Sequence, residues 1–103
     1  MRGFLFNILA MHHLYIIYGK KLDRYYVGET PEIALRLAQH NAHYFKRSFT
    51  KGAEDWQLVF SKECKDRGDA CYLERFIKRM KSRKFVQKVL DRPCILDDIL
   101  AKR

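Results

Sequence analysis

The stretch HLYIIYGKKLDRYYVG, residues 13–28, decides how the rest of the chain is read. His13–Tyr18 and Arg24–Gly28 are rich in β-branched and aromatic residues, and the spacer between them holds Gly19, two lysines and Asp23. Two such runs around a turn-like spacer predict an antiparallel hairpin. With Tyr18 opposite Asp23 across a four-residue turn, Tyr15 falls opposite Tyr26. Side chains alternate between faces along a strand. One face then carries Leu14, Ile16, Tyr18, Tyr25 and Val27, an apolar set suited to a core. The other carries Tyr15, Ile17, Arg24, Tyr26 and Gly28. Two phenols beside a cation, over a residue without a side chain, form a polar shelf. The ordinary alternative is a cross-strand aromatic pair that only stabilises the sheet. A slip of one residue would separate the two phenols.

Working outward, Thr30-Pro31-Glu32 reads as a helix start, with Thr30 as N-cap, Pro31 in the first helical position and Glu32 in the first turn. Ile33, Ala34, Leu37 and Ala38 give that helix an apolar side as far as about Asn41. Residues 44–55 show no period and read as a basic loop. WQLVFS, residues 56–61, reads as a third strand. A second helix starts near residues 67–69, with Ala70, Leu73, Phe76, Ile77 and Met80 at helical spacing. Ser82 caps a third, with Phe85, Val86, Val89 and Leu90 as its apolar side, and Pro93 ends it. Ile95–Leu100 suggests a short terminal helix. The expected fold is α+β: a three-stranded, mainly antiparallel sheet flanked by helices in the order β-β-α-β-α-α, with helices over the Leu14/Ile16/Val27 side. Residues 12–92 form the domain and 93–103 a helical tail. Residues 1–11 read as an N-terminal extension, in which 1–10 either lie upstream of Met11 as the true start or form a short extra strand or interaction arm.

Composition bounds the function. The chain has 103 residues, 48% hydrophobic and 32% charged, which excludes a disordered or low-complexity protein. No apolar run approaches the roughly 18 residues that a membrane helix needs. The formal net charge of +9 points to a polyanionic partner. Between Arg75 and Arg92 there are eight Lys/Arg and one acid, Asp91. Arg75, Lys78, Arg79, Lys81, Arg83 and Lys84 form the dense part of that run. Lys46, Arg47 and Lys51 add cations beside Tyr44, Phe45 and Phe49 in the loop. Cations bind phosphates and aromatics stack on unpaired bases, so this surface is read as a nucleic-acid interface rather than a solubilising face. Three cysteines, an odd number without paired spacing, argue for a reducing compartment, here the cytoplasm. His40 and His43 with Cys64 and Cys71 downstream lack the tight paired spacings of a zinc site.

Three further residues stand out. Arg36 and His40 are four apart and share a helix face, where the ordinary reading is solvated side chains. Glu74 lies at the edge of the apolar stripe of the second helix. A carboxylate there needs a partner, either a metal ion or a cation such as Lys78 at i, i+4.

Taken together these stretches resemble the GIY-YIG nuclease superfamily, over about residues 12–92. His13-Leu14-Tyr15 stands for Gly-Ile-Tyr and Tyr26-Val27-Gly28 for Tyr-Ile-Gly, with ten residues between the tyrosines. ETPEIALRLAQHN is similar to the family's helix with its Arg, Arg36, and its following His40-Asn41. DWQLVFSKEC is similar to the third strand, and DACYLERFIKRMKSRKFVQKVL to the acidic helix and its basic follow-on. The resemblance is greatest to small stand-alone bacterial members, which are related to the N-terminal nuclease domain of the bacterial excinuclease. It implies a metal-dependent endonuclease acting on DNA, in repair or recombination, with nucleic acid as partner and no membrane. It also implies that Glu74 holds one Mg²⁺ or Mn²⁺ ion, that Tyr15 is the general base or positions the attacking water, and that Tyr26 orients water or phosphate. Arg36 would neutralise transition-state charge and, as the nearby cation, help the Tyr15 phenol to ionise. His40 would contact phosphate or support Tyr15. The family's late polar residue has no assigned counterpart here; Lys84 or Gln87 lies near its place. The chain lacks the separate DNA-binding domains of larger relatives, so the competing class is a nucleic-acid-binding module with the same fold that cleaves poorly. A basic protein-interaction adaptor is a third class, for which no residue speaks.

Overall fold

The computed structural model describes residues 11–42 and 53–103. Strand β1 spans His12–Gly19 and β2 Arg24–Thr30; helix α1 follows at Ile33–Asn41. Strand β3 spans Trp56–Cys64, and three helices close the chain: α2, Arg67–Met80; α3, Arg83–Asp91; α4, Cys94–Ala101. The sheet order is β2-β1-β3, with both pairings antiparallel. The most apolar strand therefore lies in the centre. The extension 1–10 and the loop cations Lys46, Arg47 and Lys51 lie outside the described residues.

The hairpin register differs from the sequence expectation. Gly19, not Tyr18, closes the ladder, opposite Arg24, so Tyr15 faces Gly28 and Tyr26 faces Ile17. The shift moves the pairing by two residues, which preserves every side chain's face. The turn is Lys20–Asp23, closed by the Asp23 amide on the Lys20 carbonyl at 3.1 Å, and Asp23 is its left-handed residue (φ 52). Gly19 has a different use. A Cβ there would meet the Trp56 ring at 3.1 Å.

Helix α1 begins later than its sequence suggests. Thr30 is the last residue of β2, and its hydroxyl accepts from the Glu32 amide at 3.1 Å. That local turn, not an N-cap at Thr30, leads into the helix, and Glu32 is the capping position. The other starts follow the sequence. Asp66 accepts from the Asp69 amide at 2.9 Å, and Ser82 from the Phe85 amide at 3.1 Å. Lys81, left-handed at φ 47, ends α2 and turns the chain into α3.

Strand β3 runs three residues further than expected and carries a bulge. Ile16 pairs with Phe60 and Ile17 with Leu58, leaving Val59 as the extra residue. The bulge changes which side of the sheet the even-numbered residues face. Trp56 joins Tyr15, while Phe60 and Cys64 join Leu14.

Helices cover both faces. On one, Leu14, Ile16 and Val27 pack with Ala70, Leu73 and Ile77 of α2, Val86 and Val89 of α3 and Leu96 of α4. Lys62 reaches Asp97 at 2.7 Å, tying α4 to β3. On the other, Tyr15, Ile17, Ala53 and Trp56 gather Leu22, Tyr26 and Leu37. Helices were expected over the Leu14 side; α1 packs on the opposite one. Asn41 fastens it there, donating to the Trp56 carbonyl (3.0 Å) and accepting from the Trp56 amide (2.7 Å).

Candidate active site

The α1 face of the sheet brings four of the sequence-selected residues together. Tyr15 projects from the central strand, and its ring lies across Gly28. A Cβ on Gly28 would meet the Tyr15 oxygen at 2.5 Å and Cζ at 2.6 Å. Only glycine fits there, for reasons of space. The Tyr15 hydroxyl lies 2.8 Å from His40 Nε2, and the two residues are 2% and 1% exposed. His40 is thus a buried partner of the tyrosine, not part of a solvated helix face. Tyr26 stands beside both, its ring centroid 4.9 Å from His40 and 6.4 Å from Tyr15. The two phenols share a face as diagonal neighbours rather than as a directly opposed pair.

The electrostatics of this group follow from burial. Desolvation is the largest cause pushing the Tyr15 phenol upward, followed by Tyr26, with Glu74 and Glu29 adding to the rise and Arg36 opposing it. Tyr15 therefore keeps its proton at neutral pH. Burial, then the Arg36 guanidinium, pushes His40 down to about 4, so its imidazole is neutral. A protonated phenol beside a neutral imidazole makes one arrangement natural: Tyr15 donates and Nε2 accepts. The expectation that a cation would ionise Tyr15 gives way here, because burial outweighs Arg36. His13, in the place of the motif's first residue, lies 3.9 Å from Glu63.

Glu74 reaches this group from α2, close enough for its charge to act on Tyr15. Its Oε2 accepts from Lys78 Nζ at 2.8 Å, and that ammonium also lies 5.1 Å from the centre of the Tyr26 ring. The i, i+4 pair read from sequence is therefore present. Among the described residues no three His, Cys, Asp or Glu side chains cluster as a ligand set. The Glu74 carboxylate, partly buried and held by an ammonium, already favours a cation. One carboxylate with water and substrate phosphate suits Mg²⁺, which keeps much of its hydration. Glu74 fits that kind of ion.

Two grooves lie beside the group. The larger, ≈ 690 Å³, runs between β2 and the α2–α3 junction, lined by Arg24, Tyr25, Tyr26, Lys78, Lys81 and Arg83 among others. The second, ≈ 570 Å³, is lined by Tyr72, Arg75, Lys78, Arg79 and Lys81. Five of the expected nucleic-acid contacts, Arg75, Lys78, Arg79, Lys81 and Arg83, thus line grooves; Lys84 is exposed on α3 and lines neither. Arg83 is engaged structurally, donating to the Asp23 carbonyl at 2.7 Å and to its carboxylate at 2.9 Å. Asp23 also accepts from Tyr18, and those two bonds hold its carboxyl below the usual range. Arg24 and Tyr25 were not selected as contacts from sequence. Their signal was their place beside Tyr26, but the groove exists only where β2 meets the helical junction.

The chain is similar in sequence to known proteins. UPF0213 proteins of Yersinia pestis (strain Pestoides F) and Yersinia pseudotuberculosis serotype O:1b (strain IP 31758) are each 32% identical over 87 residues, spanning 84% of this chain and 90% of theirs. No solved structure matches. The GIY-YIG catalytic domain model matches residues 11–88, and with that span and those relatives the chain belongs to the GIY-YIG family, a family of nucleases.

Proposed function

We propose that this protein is a divalent-metal-dependent endonuclease that hydrolyses phosphodiester bonds in DNA, in repair or recombination, within the cytoplasm. The observation that supports it most is the buried Tyr15–His40 pair at 2.8 Å, flanked by Tyr26 and acted on by Arg36 and Glu74. Tyr26 lines the larger groove and orients phosphate or water there by hydrogen bonding. Tyr15 takes the proton of the attacking water as its own proton passes to His40 Nε2, so a phenol with a raised pKa need not ionise first. Arg36 offsets the charge that develops on the phosphoryl oxygens. Glu74 is the residue that would hold Mg²⁺ or Mn²⁺, which when bound stabilises charge on the phosphate and the leaving oxygen. The basic grooves bind the backbone, so affinity depends steeply on salt, with a log–log slope of roughly 0.9 per neutralised phosphate.

The second reading, a binding module that does not cut, is favoured by one observation: Tyr15 is almost completely buried and its phenol is pushed further from ionisation. Cleavage assays on plasmid, single-stranded and branched DNA with Mg²⁺ or Mn²⁺ separate the two. We expect metal-dependent cleavage that Glu74→Ala abolishes while DNA binding survives. Metal-dependent cutting by Glu74→Ala overturns the site. Wild-type protein that binds every substrate and cuts none establishes the binding module.

A further inference from the structure

Lys78 occupies a position that its role as a surface cation does not require. Its ammonium is 2.8 Å from Glu74 Oε2 and lies over Tyr26, and its side chain lines both grooves. The Lys78 side chain is 47% exposed against 21% for Glu74, so Lys78 is the member of the pair with room to swing away. A carboxylate oxygen bonded to an ammonium cannot take a divalent ion on the same side without losing that bond or holding two positive charges together. We propose that Lys78 is an internal competitor for the metal ion at Glu74, a positioning residue that holds the carboxylate until an ion displaces it. This rests on the reading of Glu74 as the metal ligand.

The test is Mn²⁺ binding to the intact protein without nucleic acid, followed by electron paramagnetic resonance or calorimetry. Lys78→Met should bind Mn²⁺ about fivefold more tightly than wild type, from the lost i, i+4 pair plus the residual repulsion of a nearby ammonium. Lys78→Gln, with a polar chain end, should show the same gain. Lys78→Arg retains a cation able to pair with Glu74 and should stay near the wild-type affinity. Lys81→Met removes an equal charge from the same grooves one turn further on, and should change affinity by less than about twofold. The proposal is overturned if both neutral Lys78 variants bind Mn²⁺ no more tightly than wild type, or if Lys81→Met gains as much as Lys78→Met. Glu74→Gln separates this failure from the broader one. If it leaves Mn²⁺ affinity intact, Glu74 is not the ligand and both readings fall. If it removes Mn²⁺ binding while the Lys78 variants change nothing, only the competitor role falls.

Discussion

Leu73 and His40 are both withdrawn from solvent, on opposite faces of one sheet, and they are held in different ways. Leu73 belongs to a cluster whose buried members are nearly all aliphatic, drawn from β1, β2 and three helices. Its stabilisation is area removed from water together with close packing, and neither depends on one particular neighbour. His40 sits against the rings of Tyr15 and Tyr26, and its Nε2 is satisfied by the hydroxyl of Tyr15. That hydrogen bond is specific to one atom, and losing the hydroxyl leaves Nε2 a buried acceptor without it. The aliphatic face can thus exchange side chains of like volume. The aromatic face must keep particular atoms, and the sequence-selected site residues Tyr15, Tyr26 and His40 lie there.

The contrast can be broken from either side. The largest effect belongs to the aliphatic face: Leu73→Ala should cost about 2–5 kcal/mol in urea unfolding, through lost burial and the cavity left behind. Under conditions where it remains folded, its DNA affinity should match wild type, because the cationic surface is untouched. A loss of affinity in the folded variant would show that the two faces are not independent.

Next in size is a pH effect confined to the other face. His40 titrates at about 4 in the folded protein against 6.5 in the unfolded chain. Between those values the unfolded chain binds the extra proton, so stability rises with pH. The contribution is fully present above about 6.5 and lost as pH falls through about 4, a swing of about 3 kcal/mol. Subtracting the unfolding profile of His40→Gln from that of wild type isolates it. A flat difference would mean that His40 is not buried as a neutral imidazole.

Gly28→Ala sharpens the comparison with one methyl group. The new Cβ would lie in the space of the Tyr15 ring. It should cost about 1–3 kcal/mol by overpacking. It should also abolish cleavage, since Tyr15 leaves its place beside His40. Cleavage at the wild-type rate would disprove the need for that placement.

Tyr15→Phe should have the smallest effect on stability, about 1–2 kcal/mol, because it removes one hydroxyl and strands His40 Nε2. Its effect on cleavage should nonetheless be complete, with DNA binding kept. A variant that still cuts would move the proton acceptor to another residue.

Much of this was legible along the chain because it depends on local period. Alternation over residues 13–28 placed Tyr15, Ile17, Tyr26 and Gly28 on one face, and that survived a register shift of two because strand faces repeat every second residue. The stripe of Ala70, Leu73 and Ile77, the Ser82 cap and the Glu74–Lys78 pair are likewise short-range features, set by helical spacing. The motif resemblance added the roles, which no period contains.

What only the tertiary structure decided involves residues far apart in sequence. The bulge at Val59 arises from the pairing of β3 with β1 and sends Trp56 and Phe60 to opposite faces, although strict alternation would put them together. Thr30 has the composition of a helix cap, but pairing with His13 draws it into β2. The neutral state of His40 comes from the exclusion of water around it, with the Arg36 guanidinium adding to the effect; its hydrogen-bond partner is a phenol 25 residues away. The same burial that makes Tyr15 and His40 partners raises one proton affinity and lowers the other. Sequence reveals which groups can titrate; their surroundings, assembled only by folding, determine which way each is pushed.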